Sequence, residues 1–253
     1  MTSPPSSSLS PPSTDLPTPG RVLAIGAHSD DVEFGCGGTL AKWAAAGAAV
    51  HLLVLTDGSK GTWDPDADLA ALVATRRREQ EAAASELGLT GVEILDVPDG
   101  ELQSGLAERG LVVAAIRQIR PDVVLGHDPW KRYRLHPDHR HAGWLVIDGV
   151  VAARDHHYFP EQGLAAHRPE RILLFEAELV DHLERVGQEL DAKVRALLSH
   201  RSQWRSTMRI DPEGPDRAAE QAAFEARVRG EAEEAGRGAG IGPAEGFKLI
   251  DKV

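Results

Sequence analysis

Val22-Leu23-Ala24-Ile25-Gly26-Ala27-His28-Ser29-Asp30-Asp31-Val32-Glu33-Phe34-Gly35-Cys36-Gly37-Gly38-Thr39-Leu40 holds the pattern on which the rest of the chain is built. Its first six residues form a short continuous apolar run, the length and composition of a buried strand. A polar loop and four closely spaced residues from Gly35 to Gly38 follow. An Ala-rich helix is then expected over 39–46, stopped by Gly47. The alternation repeats outward. Apolar strand segments are expected at 50–55, 92–97, 123–126 and 171–176. Helices are expected at 68–87, 106–119 and 142–153, with later ones at 190–204 and 218–235. Polar loops are expected over 56–66 and 127–141, and a weakly ordered stretch over 231–240. Strands that are apolar throughout and alternate with helices predict an α/β fold, a Rossmann-like and mostly parallel sheet with helices on both faces. Right-handed crossovers then leave few topologies open.

The chain has 253 residues, 28 Lys plus Arg against 39 Asp plus Glu, and a formal charge of −11. This acidic balance argues against nucleic acid and anionic membrane as partners, since both need a basic surface. Residues 1–20 hold six Pro and six Ser and are expected to form a disordered tail. Residues 21–253 are expected to form a single α/β domain. Cys36 is the only cysteine, which excludes an internal disulfide and a thiolate-rich zinc fold. Eleven His leave a metal open. No apolar run is long enough for a membrane span. The N-terminus has no Lys or Arg before Arg21 and no apolar core, so a cytoplasmic location is expected rather than an exported one.

Two clusters carry chemistry. The first, His28 to Glu33, follows the first strand and offers one imidazole and three carboxylates within six residues. Ligands of open α/β sheets sit at the C-terminal ends of strands, which is where this loop falls. Read alone, Ser and Asp here serve as well for capping and Gly for turning as they do for a metal. A dinucleotide loop fits poorly, because the G-x-G-x-x-G order is missing and carboxylates would repel a pyrophosphate. The second cluster, His127 to His141, holds four of the His and follows the fourth of the expected strands. Its His136-Pro137-Asp138-His139 places two imidazoles three residues apart around a carboxylate. Two His and one carboxylate form a common catalytic zinc set with a coordination position left for water. His28 and His139 lie 111 residues apart, yet both loops are expected at one sheet edge.

Together, Ala27-His28-Ser29-Asp30-Asp31-x-Glu33, Gly37-Gly38-Thr39-Leu40 and His136-Pro137-Asp138-His139 resemble the PIG-L/LmbE family of zinc-dependent de-N-acetylases. The resemblance extends over most of residues 21–205. It takes in Thr56-Asp57-Gly58, Arg76-Arg77-Arg78-Glu79, Asp99-Gly100 and the late stretch from Lys193 to Gln203. Ser29 departs from it, standing where that family usually has Pro. The resemblance implies His28, Asp31 and His139 as ligands of one Zn2+ per chain. It implies Asp30 as general base and His136 as the imidazole that steadies the oxyanion or protonates the leaving amine. Asp138 is expected to orient His136 from behind, and Arg78 and Asp99 to contact substrate. The implied reaction is hydrolysis of an N-acetylated amino sugar or glycoside, of the N-acetylglucosamine type, to acetate and a free amine. Two alternatives stand beside it: an amidase acting on a larger amide such as a thiol conjugate, and a catalytically silent sugar-binding relative. The resemblance also allows a homo-oligomer.

Several residues stay open between a function and a plain structural role. Lys131, Arg132, Arg134 and Arg140 form a basic patch that either attracts an anionic substrate group or is a solvated loop balancing nearby acids. Trp63 and Trp130 either stack on a sugar ring or pack their loops on the core. Cys36 reads as a small buried thiol, His156 and His157 as surface residues, and His200 as a residue reaching the site rim.

Overall fold

The computed structural model describes residues 11–253. Its strands are β1 (Ser13–Thr14), β2 (Arg21–Gly26), β3 (Ala49–Thr56), β4 (Gly91–Val97), β5 (Val123–His127), β6 (Arg171–Phe175), β7 (His182–Arg185) and β8 (Ala244–Asp251). Its helices are α1 (Asp31–Ala45), α2 (Leu69–Leu87), α3 (Leu106–Ile119), α4 (Pro137–Ala153), α5 (Glu189–Ser199) and α6 (Arg217–Arg237). All the strands join one sheet in the order β1-β7-β8-β6-β5-β2-β3-β4. Neighbours pair in parallel except at β8, which runs antiparallel to both β6 and β7.

Alternation within each strand explains the layers. Leu23 and Ile25 of β2 join α3 and α4 in one buried cluster that includes Val112, Ile116, Leu145 and Val146. Val22 and Ala24 of the same strand face the opposite cluster, with Cys36, Leu40 and Trp43 of α1. Both faces of the parallel strands are therefore apolar, which is why their sequence runs are continuous rather than alternating. From β2 the chain adds β3 and then β4 on one side, and later β5 and β6 on the other. The order reverses between β2 and β5, and the loops leaving those two strands diverge around a crevice.

Several expectations are corrected. Of the expected tail 1–20, residues 1–10 lie outside the described residues, and within 11–20 the stretch from Ser13 to Leu16 joins the sheet edge. Ser13 and Thr14 pair with His182 and Leu183 of β7. The Leu16 N–H donates to the buried Glu184 carboxylate at 2.8 Å, and Lys42 reaches Asp15 at 3.0 Å. A Pro- and Ser-rich composition misled here because backbone pairing to an existing edge needs no apolar side chains. Helix α1 begins at Asp31 rather than Thr39, and α4 at Pro137 rather than Ala142, so both chemistry-bearing segments open helices. Residues 231–237 continue α6 instead of loosening. The late helix α5 stops at Ser199 and gives way to tight 3-10 and π turns through Met208. Strands β7 and β8 carry Glu184, Arg185, Glu245 and Lys248 and have no apolar run to betray them.

Helix α1 breaks at Cys36 (φ −153°, ψ 17°). Gly35 allows the Phe175 ring to lie where a Cβ would stand. Beyond the break, Glu245 of β8 accepts from the N–H groups of Gly38 at 3.0 Å and Thr39 at 2.7 Å, capping the second segment. Lys193 of α5 completes the buried pair, donating to Glu245 at 2.6 Å and to the Phe34 carbonyl at 2.8 Å. Removing one partner strands a buried charge. Lys193→Ala is expected to lower unfolding free energy by roughly 3 kcal/mol, and the melting temperature by about 6–12 °C. Calorimetric melting tests this, and an unchanged melting temperature contradicts it.

Candidate active site

The residues from the two clusters meet at the crevice between β2 and β5. His28, Asp30 and Asp31 come from the turn joining β2 to α1. His136 and His139 come from the start of α4, after the loop leaving β5. With Lys60, Gly61, Arg76, Asp99, Gly100, Gln203 and Thr207 they line a cavity of about 370 Å³. The local geometry separates capping from chemistry. Asp30 is the N-cap residue of α1, in the left-handed region at φ 88°, yet its side chain makes no capping bond. His136 is the N-cap residue of α4, and its side chain makes none either. A non-glycine residue in that region costs of order 1–3 kcal/mol and is characteristic of functional turns.

Donor atoms of three residues form a compact triangle, which Asp31 closes with both of its carboxylate oxygens. His28 Nδ1 lies 3.2 Å from His139 Nε2, which lies 3.2 Å from Asp31 Oδ1. His28 Nδ1 lies 3.4 Å from Asp31 Oδ2. Two imidazole nitrogens and a carboxylate are a donor set that zinc takes, with ligands about 3.3–3.4 Å apart, and each of these contacts is close to that separation. Three groupings among the described residues share these side chains and could hold an ion: His28, His136 and His139; Asp31, His127 and His139; and His28, Asp99 and Asp138. The triangle is braced from outside. His28 Nε2 faces Asp99 Oδ1 at 3.2 Å and Asp138 Oδ2 at 3.1 Å. Asp31 Oδ2 accepts from the His28 N–H at 2.7 Å and meets His127 Nε2 at 3.2 Å. His127 Nδ1 in turn lies 3.3 Å from Glu176, beside the Arg134 guanidinium. Such outer partners fix ring orientation in metal sites.

Burial lowers the His28 pKa, but the hydrogen bonds to Asp138, Asp31 and Asp99 outweigh it and hold the imidazole well above its ordinary range. His136 is pushed down by burial and by the neighbouring His28 and His139 charges. Asp30 is pushed up to about 6 by burial, against the opposing pull of Arg76 and His200. Its backbone N–H donates to Gln80 Oε1 at 3.3 Å, and Gln80 Nε2 donates to the fully buried Glu33. Arg76 donates to the Ser29 carbonyl at 2.8 Å and the Gly58 carbonyl at 3.1 Å, tying the His28–Asp31 turn to the loop after β3. Gly58 sits at φ +67° and gives the guanidinium room that a Cβ would take.

Asp99 lies at the site as expected, while Arg78 does not. Arg78 is exposed and donates only to Thr75 within its own helix. The cavity arginine is Arg76, two residues earlier on α2, because the buried face there runs through Arg76, Gln80 and Ala83. Asp138 is buried as expected but braces His28 and accepts from the Gly100 N–H at 2.7 Å, rather than orienting His136. The basic patch is largely spent. Arg132 pairs with Glu178, Arg134 with Glu176, and Arg140 donates to the Arg134 and Leu135 carbonyls. His200 is fully buried behind Asp30, 3.8 Å from Glu33, and not at the rim. Cys36 is fully buried, and its thiol is raised by burial and by Glu245. Trp130 packs edge-on against Trp144 at 5.2 Å. His156 and His157 are exposed. Lys60 and Thr207 enter the cavity with no signal in sequence, since both sit in irregular segments.

Comparison with known proteins places this geometry among relatives. The model of the family described as PIG-L: GlcNAc-PI de-N-acetylase matches residues 23–150. The diacetylchitobiose deacetylase of Thermococcus kodakarensis is 35% identical over 187 residues, covering 73% of this chain and 70% of that protein. A 1D-myo-inositol 2-acetamido-2-deoxy-alpha-D-glucopyranoside deacetylase of Streptomyces avermitilis is 33% identical, covering 59% of this chain and 58% of the relative. The structure of N,N'-diacetylchitobiose deacetylase from Pyrococcus horikoshii superposes with a TM-score of 0.81 at 29% identity, covering 92% of this chain and 84% of that one.

Two of the three arginines of α2 provide a direct check on the site's construction. Arg76→Ala is expected to cost roughly 2–3 kcal/mol in denaturant unfolding, through loss of two charged hydrogen bonds. Arg78→Ala is expected to stay within about 0.5 kcal/mol of the parent. The reverse ranking contradicts this placement.

Proposed function

Because this chain belongs to the PIG-L family of de-N-acetylases, we propose that it is a zinc-dependent hydrolase that removes the acetyl group from an N-acetylglucosamine-type sugar or glycoside. The observation that carries this reading is the donor triangle of His28, Asp31 and His139 with an uncommitted, strained Asp30 beside it. A sugar-binding relative without activity has no use for a buried carboxylate held clear of capping bonds. The larger-amide alternative gains no observation of its own.

His28, Asp31 and His139 would hold the ion. When bound, the ion supplies Lewis acidity, acidifying a water and polarising the amide carbonyl. Asp30 accepts the proton of the attacking water at its carboxylate. Addition of that oxygen to the acetyl carbon makes a tetrahedral oxyanion, which His136 meets with a ring N–H. The C–N bond then breaks, and the amine nitrogen takes a proton from Asp30 or His136. Acetate and the free amino sugar leave. Asp138 and Asp99 hold His28 Nε2, which leaves Nδ1 turned toward His139 and Asp31. His127 holds one Asp31 oxygen. Asp99 and Arg76, at the cavity wall, are placed to receive sugar hydroxyls.

The test is release of primary amine and acetate from N-acetylglucosamine glycosides, with and without chelator. Chelation is expected to abolish turnover, and zinc to restore it. Asp30→Asn is expected to retain metal through dialysis and lose at least about 100-fold in kcat. His139→Ala is expected to lose the metal. His127→Ala is expected to weaken metal affinity by about 10–100-fold, as loss of an outer partner does. Full turnover in the presence of chelator, or near-normal kcat in Asp30→Asn, would sink the assignment.

A further inference from the structure

Asp30 is not glycine, yet its backbone lies in the left-handed region, at φ 88° and ψ −24°. Such a residue persists only where its surroundings over-determine it. The simplest relief is a flip of the Ser29–Asp30 peptide. That flip turns ψ of Ser29 and φ of Asp30 by about 180° in opposite senses and returns Asp30 to negative φ. Both polar ends of this one peptide are held, and both by α2. The Ser29 carbonyl accepts from an Arg76 guanidinium N–H at 2.8 Å, and the Asp30 N–H donates to Gln80 Oε1 at 3.3 Å. Arg76 and Gln80 lie one turn apart on the buried face of the helix. A flipped peptide would point its N–H at the guanidinium and its carbonyl at the Gln80 oxygen, donor against donor and acceptor against acceptor.

The clamp works only while Gln80 keeps its oxygen toward Asp30. A turned amide would offer its NH2 to the carbonyl of a flipped peptide. Glu33 prevents the turn. Gln80 Nε2 donates to Glu33 Oε1 at 2.5 Å, and a carboxylate has nothing to donate in return. Glu33 is fully buried, and its salt-bridge partner among the described residues is His200, whose Nε2 lies 3.8 Å from the same oxygen. Burial lowers the His200 pKa, but Glu33 and Asp30 outweigh burial and the Arg76 charge and hold the ring above its ordinary range. The pair is not closed. Glu33 Oε2 and both ring nitrogens of His200 are buried without a hydrogen-bond partner. Buried pairs that serve stability have those atoms satisfied. Gln80, Glu33 and His200 do not line the cavity, and substrate and metal give none of them a role.

We infer that Gln80, Glu33 and His200 are positioning residues, a buried chain that locks the Ser29–Asp30 peptide against flipping and so keeps the Asp30 carboxylate in the cavity. His200 balances the charge of Glu33, Glu33 sets the direction of the Gln80 amide, and Gln80 with Arg76 clamps the peptide. Without the ring, a buried carboxylate is left uncompensated and must move or admit water, which frees the amide. The inference rests on the hydrolase reading for what Asp30 does, and adds what holds it in place.

The test uses zinc-loaded variants with methyl N-acetyl-β-glucosaminide as substrate. Gln80→Met fills the same space and removes the acceptor. It is expected to retain zinc through dialysis, to keep KM within about twofold and to lose roughly 10–100-fold in kcat. Its crystal structure is expected to show the Ser29–Asp30 peptide turned over. His200→Phe is expected to show the same split between kcat and KM. Adding Glu33→Gln removes the charge that needs the ring yet leaves an oxygen for Gln80, and is expected to restore most of the lost kcat. Where His200→Phe alone does not fold, a folded and active double variant carries the same conclusion. Parental kcat with an unturned peptide in Gln80→Met, or loss of zinc together with kcat, overturns the clamp. A double variant no better than His200→Phe, or one that fails to fold where Glu33→Gln alone folds, overturns the part given to His200. A wild-type protein that releases no acetate, with the peptide turned over in Gln80→Met, counts against the hydrolase reading and leaves the clamp standing.

Discussion

The constraint on which this structure depends is the reversal of strand order between β2 and β5. A parallel sheet sends every βα loop to one edge, and at most positions successive loops are held apart by the helices that follow them. Where the order reverses, the helices after β2 and β5 lie on opposite faces, and the turns feeding them face each other across a gap. That brings His28 and His139 within 3.2 Å although 111 residues separate them. The sheet's two apolar faces hold β2 and β5 adjacent, through Val22 paired with Val123 and Ala24 with Leu125. Every bond length in the site inherits its precision from that register.

Electrostatics explains why so many acids converge there. Asp31, Asp99 and Asp138 all lie within 3.4 Å of His28. Buried carboxylates so close together repel one another unless a cation sits among them. The elevated pKa of His28 expresses that demand, since the ring is driven to carry the positive charge its neighbours require. A divalent ion at the triangle would meet the same demand more fully, and would leave His28 neutral as a ligand must be. By charge balance as well as by donor type, the cluster is able to hold a cation.

Much of this was legible in the sequence, for identifiable reasons. Continuous apolar runs marked β2 to β6, because those strands are covered on both faces. The His28–Asp31 and His136–His139 clusters were legible because ligand-rich turns at strand ends are concentrated in a few consecutive residues. Residues that act through helix phase were not. Choosing between Arg76 and Arg78 requires knowing which side of α2 faces the crevice, and three consecutive arginines hide that. Sequence adjacency sets Asp138 beside His136, while the chain turns it inward to His28 and the Gly100 N–H. Strands β1, β7 and β8 are harder to read because charged residues held in buried ion pairs, as at Glu184 and Glu245, interrupt any apolar run.

The same buried pairs connect the sheet edge to the chemistry. Glu245 on β8 caps the second segment of α1 and binds Lys193, and Lys193 holds the Phe34 carbonyl of the first segment. The break at Cys36 therefore has polar groups fixing it from both sides. It allows Asp31 and Glu33 to occupy the first turn of a helix whose axis has not yet settled against the core. On one side of the break Asp31 is held by His28 and Glu33 by Gln80 of α2, and on the other Gly38 packs on Val186. The antiparallel β8, an addition to an otherwise parallel sheet, thereby braces the helix whose N-cap is Asp30, although no residue of β8 lines the cavity.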